Sequence, residues 1–220
     1  MANIVLHGLF ISPFVRAAGL ALHEKGISYT LQGIKEFSDI KTPEYLKLHP
    51  FGRMPAFRHG ETVLFESSAI CRYVDTTFDG PPLMPEDVVE AARAEQWVSA
   101  IKHYLVENLI YHYVMQYVFP KGPDGTPDRA VIDGGKDNVR RDCGVLDGAL
   151  EGRAWLVGER PTIADFYLVS LFHMAKQMPD AEDFVGGFAN LERFYAAFAE
   201  RASYQATSFE FPPGIAIAAE

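Results

Sequence analysis

An α/β segment followed by an all-helical segment is the fold class that this 220-residue sequence predicts. Three observations carry the prediction. Over residues 1–80, short apolar runs alternate with amphipathic helical stretches, ordered strand–helix–strand and then strand–strand–helix. Asp79-Gly-Pro-Pro-Leu-Met-Pro85 then interrupts the chain with its clearest Pro/Gly-rich linker. From Glu86 to Phe119 there is neither Gly nor Pro, so one helix of about 50 Å is expected at about 1.5 Å rise per residue. A first domain is therefore placed over residues 1–80 and a helical one over 86–220.

Ile4 to Leu6 is a short apolar strand, followed by Gly8. Ser12-Pro13 starts a helix: Ser12 caps it, and Pro13 at its first position forfeits no hydrogen bond, because that N–H has no partner inside any helix. This helix is expected over Phe14 to Lys25, with Gly26 as its stop. Ser28 to Ile34 is the second strand, closing a right-handed parallel unit. Lys41 to Leu48 reads as a short irregular helix. Ala56 to Arg58 and Thr62 to Phe65 pair across a His59-Gly60 turn, and a helix with Ala69, Ile70, Tyr73 and Val74 on one face follows. A βαβ unit and then ββα is the thioredoxin-like arrangement. Redox domains of that arrangement open the first helix with Cys-x-x-Cys. Here the place reads Ser12-Pro13-Phe14-Val15, which excludes dithiol exchange there.

In the helical part, Trp97, Ile101, Tyr104, Leu105 and Leu109 recur at helical spacing and are expected in a core or interface. Tyr111, His112, Met115 and Phe119 suit either core packing or the wall of an apolar pocket; most are expected in the core, with one or two lining a pocket. The helix from Arg129 to Leu150 contains Gly134, Gly135, Gly144 and Gly148. Each interior glycine costs about 0.8–1.0 kcal/mol against alanine, so this helix is expected to be kinked or closely packed. Thr162-Ile-Ala-Asp165 has the form of a capping box opening a buried helix that runs to Lys176. Asn190 begins the last long helix, and residues 212–220 form a tail packed loosely or against a pocket rim.

The formal net charge of -9 argues against nucleic acid as a partner, since phosphates need a basic face. No apolar run approaches the roughly 18 residues of a membrane span. Met1 to Leu9 lacks a basic lead-in, and Arg16 interrupts the apolar run soon after. Cys71 and Cys143 lie far apart within helical patterns and are expected as free thiols. A cytoplasmic protein without membrane contact is the expectation. The seven histidines show neither HExxH nor Cys/His ligand spacing, so no metal site is expected.

Site chemistry concentrates between His49 and Ile70. Met54-Pro55 stands at a strand entrance, where an X-Pro bond is a cis candidate because proline cuts the trans preference to about 0.5–1 kcal/mol. The Met54 backbone there is free to pair with an extended peptide, as an added strand does. Ser67 is expected as the N-cap of the next helix, whose N-terminus attracts a carboxylate, and Glu66 is placed to hold an ammonium. One corner thus offers partners to a peptide backbone, a carboxylate and an amine.

The run Pro50-Phe-Gly-x-x-Pro-Ala-Phe57, a hairpin, and then Phe65-Glu-Ser-x-Ala-Ile70 resembles the glutathione-binding segment of cytosolic glutathione S-transferases, most closely the serine-type phi class. Ser12-x-x-x-Arg16 and Thr162-x-Ala-Asp165 are similar to that family as well, so the resemblance spans nearly the whole chain. It implies that Ser12 activates the thiol of glutathione, bound as co-substrate. It implies further that Met54 and Pro55 hold the cysteinyl unit, Glu66 and Ser67 the γ-glutamyl end, and Lys41 the glycine carboxylate. Arg53 replaces a common glutamine in this set and Ile40 a common histidine. Phe10, Pro13 and Phe14, with Tyr111, Met115 and Phe119, would form the electrophile pocket, and Phe51 would insert into a partner subunit to make a homodimer. The function implied is conjugation of the glutathione thiolate to an apolar electrophile, with organic-peroxide reduction as a companion activity. The alternative is a non-catalytic relative that keeps the fold as a binding or scaffold module.

Overall fold

The computed structural model describes residues 3–212. Strand β1 (Ile4–His7) leads to helix α1 (Pro13–Glu24), strand β2 (Thr30–Gln32), a 3-10 turn (Phe37–Lys41) and the short helix α2 (Pro43–Leu46). Strands β3 (Ala56–His59) and β4 (Thr62–Phe65) follow, and then helix α3 (Ser67–Thr77). The sheet order is β2-β1-β3-β4, with β1 parallel to β2 and antiparallel to β3. Register pairs Leu6 with Phe57, both fully buried, so the apolar runs that predicted the strands meet in the core. This is the thioredoxin-like order expected. The second strand is shorter than Ser28–Ile34, and the irregular helix resolves into a 3-10 turn plus α2.

Helix α1 is buried on nearly every side, from Pro13 to Leu22 except Phe14, because Ala17, Ala18, Gly19 and Ala21 are small enough for neighbours to close in. It packs on α3 and also on helices α7 (Ile163–Lys176) and α10 (Ala202–Thr207) of the helical domain. Arg16 is fully buried there: Nε donates to Thr207 Oγ1 at 3.4 Å, and the guanidinium carbon lies 4.4 Å from the centre of the Tyr204 ring. Gly8 marks the tightest approach. Its φ is +142°, and a Cβ there would stand 2.5 Å from Val15 Cγ2 and 3.3 Å from Met54 Cβ. Only glycine lets β1, the start of α1 and the Met54 loop converge.

The second domain is helical: α4 (Val88–Ala100), a wider helix with i→i+5 hydrogen bonds (Ile101–Val114), α5 (Met115–Val118), α6 (Arg129–Ala149), α7, α8 (Ala181–Val185), α9 (Ala189–Ala199) and α10. The expected single α-helix from Glu86 to Phe119 is therefore corrected. Its middle is wound more loosely, and Tyr104, expected inside, is 64% exposed. Burial there follows Ile101, Leu105, Leu109 and Tyr113, a spacing of four that leaves position 104 outside. Helix α6 runs without interruption, and a Cβ at Gly135 would come within 3.0 Å of His112 Cβ: close packing, not a kink. The Thr162–Asp165 capping box forms, with Asp165 accepting from Thr162 N at 2.7 Å. Helix α10 follows the expected last long helix, and most of the predicted 212–220 tail lies outside the described residues.

Candidate active site

Two cavities meet beside the N-terminus of α1. The outer one is about 500 Å³ and is walled on the sheet side by Ile40, His49, Arg53, Met54, Pro55, Glu66 and Ser67, and on the wider helix by Lys102, His103 and Glu107. The inner one is about 150 Å³, and its lining is almost wholly apolar: Ile11, Pro13, Phe37, Ile110, Met115, Val118, Phe119 and Met174, with Ser12 at the edge. Phe14, Met54, Val106 and Tyr111 belong to both.

Ser12 caps α1 with extended backbone angles, and its Oγ accepts only a long 3.5 Å bond from Val15 N–H. Its own hydroxyl hydrogen makes no bond among the described residues, so it is free to donate to a group in the inner cavity. Pro13 follows at the first helical position and fixes the turn. The Met54-Pro55 bond is cis. Met54 precedes Ala56, the first paired residue of β3, so its N–H and C=O stay outside the ladder.

The N-cap of α3 is Glu66, not Ser67, which is the first residue of the helix. Glu66 has φ 68°, a left-handed conformation that costs a non-glycine residue about 1–3 kcal/mol. Ser67 is buried, and its Oγ accepts from Tyr167 of α7 at 2.6 Å. Burial of Tyr167 pushes its phenol well above the ordinary range, so it stays a donor. Because Ser67 accepts that bond, its own hydrogen is left for the cavity. Ala69, expected on the buried face of α3, is exposed; Ile70, Cys71 and Val74 face inward.

Lys41 donates to Gly52 O at 3.0 Å and is not among the lining residues; the cation at that end of the cavity is Arg53. Phe10 also lies outside the inner cavity. Its ring packs over Gly19, within 2.6 Å of where a Cβ would stand, because glycine leaves a recess there. Phe51 is 68% exposed and packs edge-on near His49 and Phe65. His49 is buried, and burial chiefly lowers its pKa, which keeps the ring neutral. Residues that motif reading missed come from the helical domain: Lys102, His103 and Glu107 on the outer wall, and Tyr167 behind Ser67. The signal of the three outer-wall residues is a spacing of four and five along one helix, which a 3.6-residue period does not group; Tyr167, on α7, gives no such signal.

Among the described residues no group of three or more His, Cys, Asp or Glu could hold a metal, and no helix is long and apolar enough to cross a membrane. Cys71 and Cys143 are free, and burial pushes both thiols up to about 12, leaving neither as a thiolate near neutral pH.

The N-terminal domain of glutathione S-transferases matches residues 6–82, and their C-terminal domain matches residues 109–202. The chain belongs to the glutathione S-transferase family. This transferase is 28% identical to Glutathione S-transferase 3 of Zea mays over 218 residues, covering 96% of each chain. Its fold is similar to that of the theta class glutathione S-transferase from Xanthomonas axonopodis pv. citri, solved with glutathione bound, at a TM-score of 0.82, 26% identity and full coverage of both chains. Over 168 residues it is 32% identical to Elongation factor 1-gamma-A of Xenopus laevis, of which it covers 36%.

Proposed function

We propose that this transferase binds glutathione in the outer cavity, turns its sulfur toward Ser12, and attacks an apolar electrophile held in the inner one. The carrying observation is the junction. A cavity bearing both charges and an apolar cavity share Met54 and Phe14, and Ser12 stands beside them with an uncommitted donor. In this reading the Met54 backbone pairs with the cysteinyl unit, and Glu66 holds the γ-glutamyl ammonium. Ser67 and the first amides of α3 take the α-carboxylate, and Arg53 takes the glycine end. Pro13, Phe14, Tyr111, Met115 and Phe119 contact the electrophile.

A free thiol of pKa about 8.5 is only about 3% thiolate at pH 7. Lowering that pKa to about 6.5 gives about 75% and requires about 2.7 kcal/mol. A charge-assisted bond from Ser12 contributes about 1.5–3 kcal/mol, and the helix N-terminus adds about 0.3–1. The thiolate gain is about 25-fold, of which a Brønsted slope near 0.45 removes about 8-fold, leaving about threefold. The larger part of the acceleration therefore comes from holding the electrophile against the sulfur.

Retention on immobilised glutathione, followed by turnover with a chlorinated nitroaromatic and a panel of peroxides, tests the assignment. Retention without turnover on any of them would instead favour a binding module, a reading raised by the likeness to Elongation factor 1-gamma-A. The exposed Phe51 ring supports a homodimer in which it inserts into the partner. Phe51→Ala should then shift the solution mass toward monomer; an unchanged mass and Tm would show that the ring is not inserted.

A further inference from the structure

The γ-glutamyl end of glutathione is a zwitterion whose amine nitrogen and carboxyl carbon share one Cα and so lie about 2.5 Å apart. The Glu66–Ser67–Ser68 corner faces a charge that the sheet domain does not supply. Lys102 Nζ, carried by the wider helix, stands 3.7 Å from Glu66 Oε2 and 3.3 Å from Ser68 Oγ. Both Lys102 and Glu66 line the outer cavity. An ion pair of this span matches a zwitterion placed head to tail: the ammonium meets Glu66 while the carboxylate meets Lys102. Without Lys102, the carboxylate would share a cavity with the Glu66 and Glu107 carboxylates, and the one other Lys or Arg lining it would be Arg53.

We propose that Lys102 is a further binding residue, taking the α-carboxylate of the γ-glutamyl unit, so that the helical domain sets selectivity at that end of the peptide. The proposal rests on the glutathione reading of the outer cavity. Lysine suits the position. Its ammonium offers three donors, and among the described residues only the Ser68 and Glu66 contacts occupy them. The side chain is 25% exposed, so its charge is less screened than that of a free surface lysine.

The bland role for Lys102 is a cross-domain ion pair that holds Glu66 and α3 against the wider helix. Ligand deletion separates the two. Dissociation constants would be measured for glutathione, for glutaryl-Cys-Gly, which lacks the amine, and for 4-aminobutyryl-Cys-Gly, which lacks the α-carboxylate. Lys102→Met should weaken glutathione and glutaryl-Cys-Gly by about tenfold or more and leave 4-aminobutyryl-Cys-Gly no weaker, because a charged hydrogen bond is lost only where the carboxylate exists. Lys102→Arg should hold glutathione within about threefold, since it keeps the charge. Equal weakening of all three peptides by Lys102→Met, or weakening of none, would overturn the inference while wild-type glutathione binding stands. Wild-type protein that binds none of the three would overturn the glutathione reading and this inference with it.

Discussion

The outer cavity, at about 500 Å³, and the inner cavity, at about 150 Å³, share Phe14, Met54, Val106 and Tyr111, yet would solvate a guest in opposite ways. The outer wall carries Arg53, Glu66, Lys102 and Glu107, so a charged peptide finds counter-charges and stays near water. Among the residues lining the inner one, only Ser12 and Tyr111 bring hydroxyls. A thiolate at the boundary loses part of its hydration, which by itself raises its pKa. In the proposed mechanism a donor at the edge, beside a helix N-terminus, would offset that loss. On the proposed reading the contrast explains why a serine would suffice: it would only have to stabilise the sulfur, while the apolar wall would hold the electrophile close.

The largest effect expected is at the boundary itself. Ser12→Ala should bind glutathione nearly as well but lose about tenfold or more in kcat: about threefold from thiolate supply and the rest from misplacement of the sulfur. Its pH–rate profile should move up toward about 8.5. If Ser12 only caps α1, worth about 0.5–2 kcal/mol, Tm would fall while turnover per folded molecule and its pH profile stayed put. Ser12→Cys should gain thiol-transferase activity as conjugation falls, because a thiol there can form a mixed disulfide with glutathione.

On the polar side, Glu66→Ala or Ser67→Ala should raise the KM for glutathione by about tenfold without changing kcat for a saturating electrophile. An unchanged KM in both would remove this corner from the site. The apolar side offers the mirror test. Phe119 packs edge-on with Phe37 at 5.4 Å, so Phe119→Ala should lower kcat/KM for a single-ring electrophile by about fivefold, the worth of one aromatic contact. The KM for glutathione should not move; if it rises equally, the two cavities are energetically one.

The smallest effect tests whether pH acts through the cavities at all. Buried His173 donates from Nε2 to Phe209 O, 2.8 Å away, and its Nδ1 accepts from one member of the hydrogen-bonded Tyr195–Tyr204 hydroxyl pair. Burial, and then the neighbouring Arg16 charge, lower its pKa to about 4. The unfolded histidine, near 6.5, takes up a proton that the folded one refuses, so the stability contributed at His173 falls as pH drops from about 6.5 toward 4 and stops falling below that. Buried Asp165, pushed up to about 6, acts in the opposite sense. At pH 6 the His173 share of that change should be about 1 kcal/mol, worth about 2–4 °C in Tm relative to pH 8. His173→Gln should remove that part of the slope and leave what His7, His23 and His49, whose pKa values burial also lowers, contribute. A matching fall in glutathione affinity over the same range, absent in His173→Gln, would tie this cluster to the site and blur the contrast.

What the sequence determined by itself is local. Ser12-Pro13 at a helix start, the hairpin about His59-Gly60 and the Thr162–Asp165 box each depend on neighbours within a few residues, and each formed where the pattern placed it. The Glu66-Ser67 corner was legible for the same reason, although the cap fell one residue earlier, because Glu66 adopts a left-handed conformation that no propensity favours. The far wall was not legible. At about 3.6 residues per turn, Lys102 and Tyr111 would lie about 180° apart on their helix. At the roughly 4.4 residues per turn that i→i+5 bonding gives, Lys102, Val106, Glu107, Tyr111 and Met115 fall on one face, and those residues line the cavities. Tyr167 reaches Ser67 across 100 positions of sequence, and Phe10 leaves the pocket because Gly19 gives its ring a recess. Such contacts depend on how close two backbones come, a distance set by packing and not by any single segment's pattern.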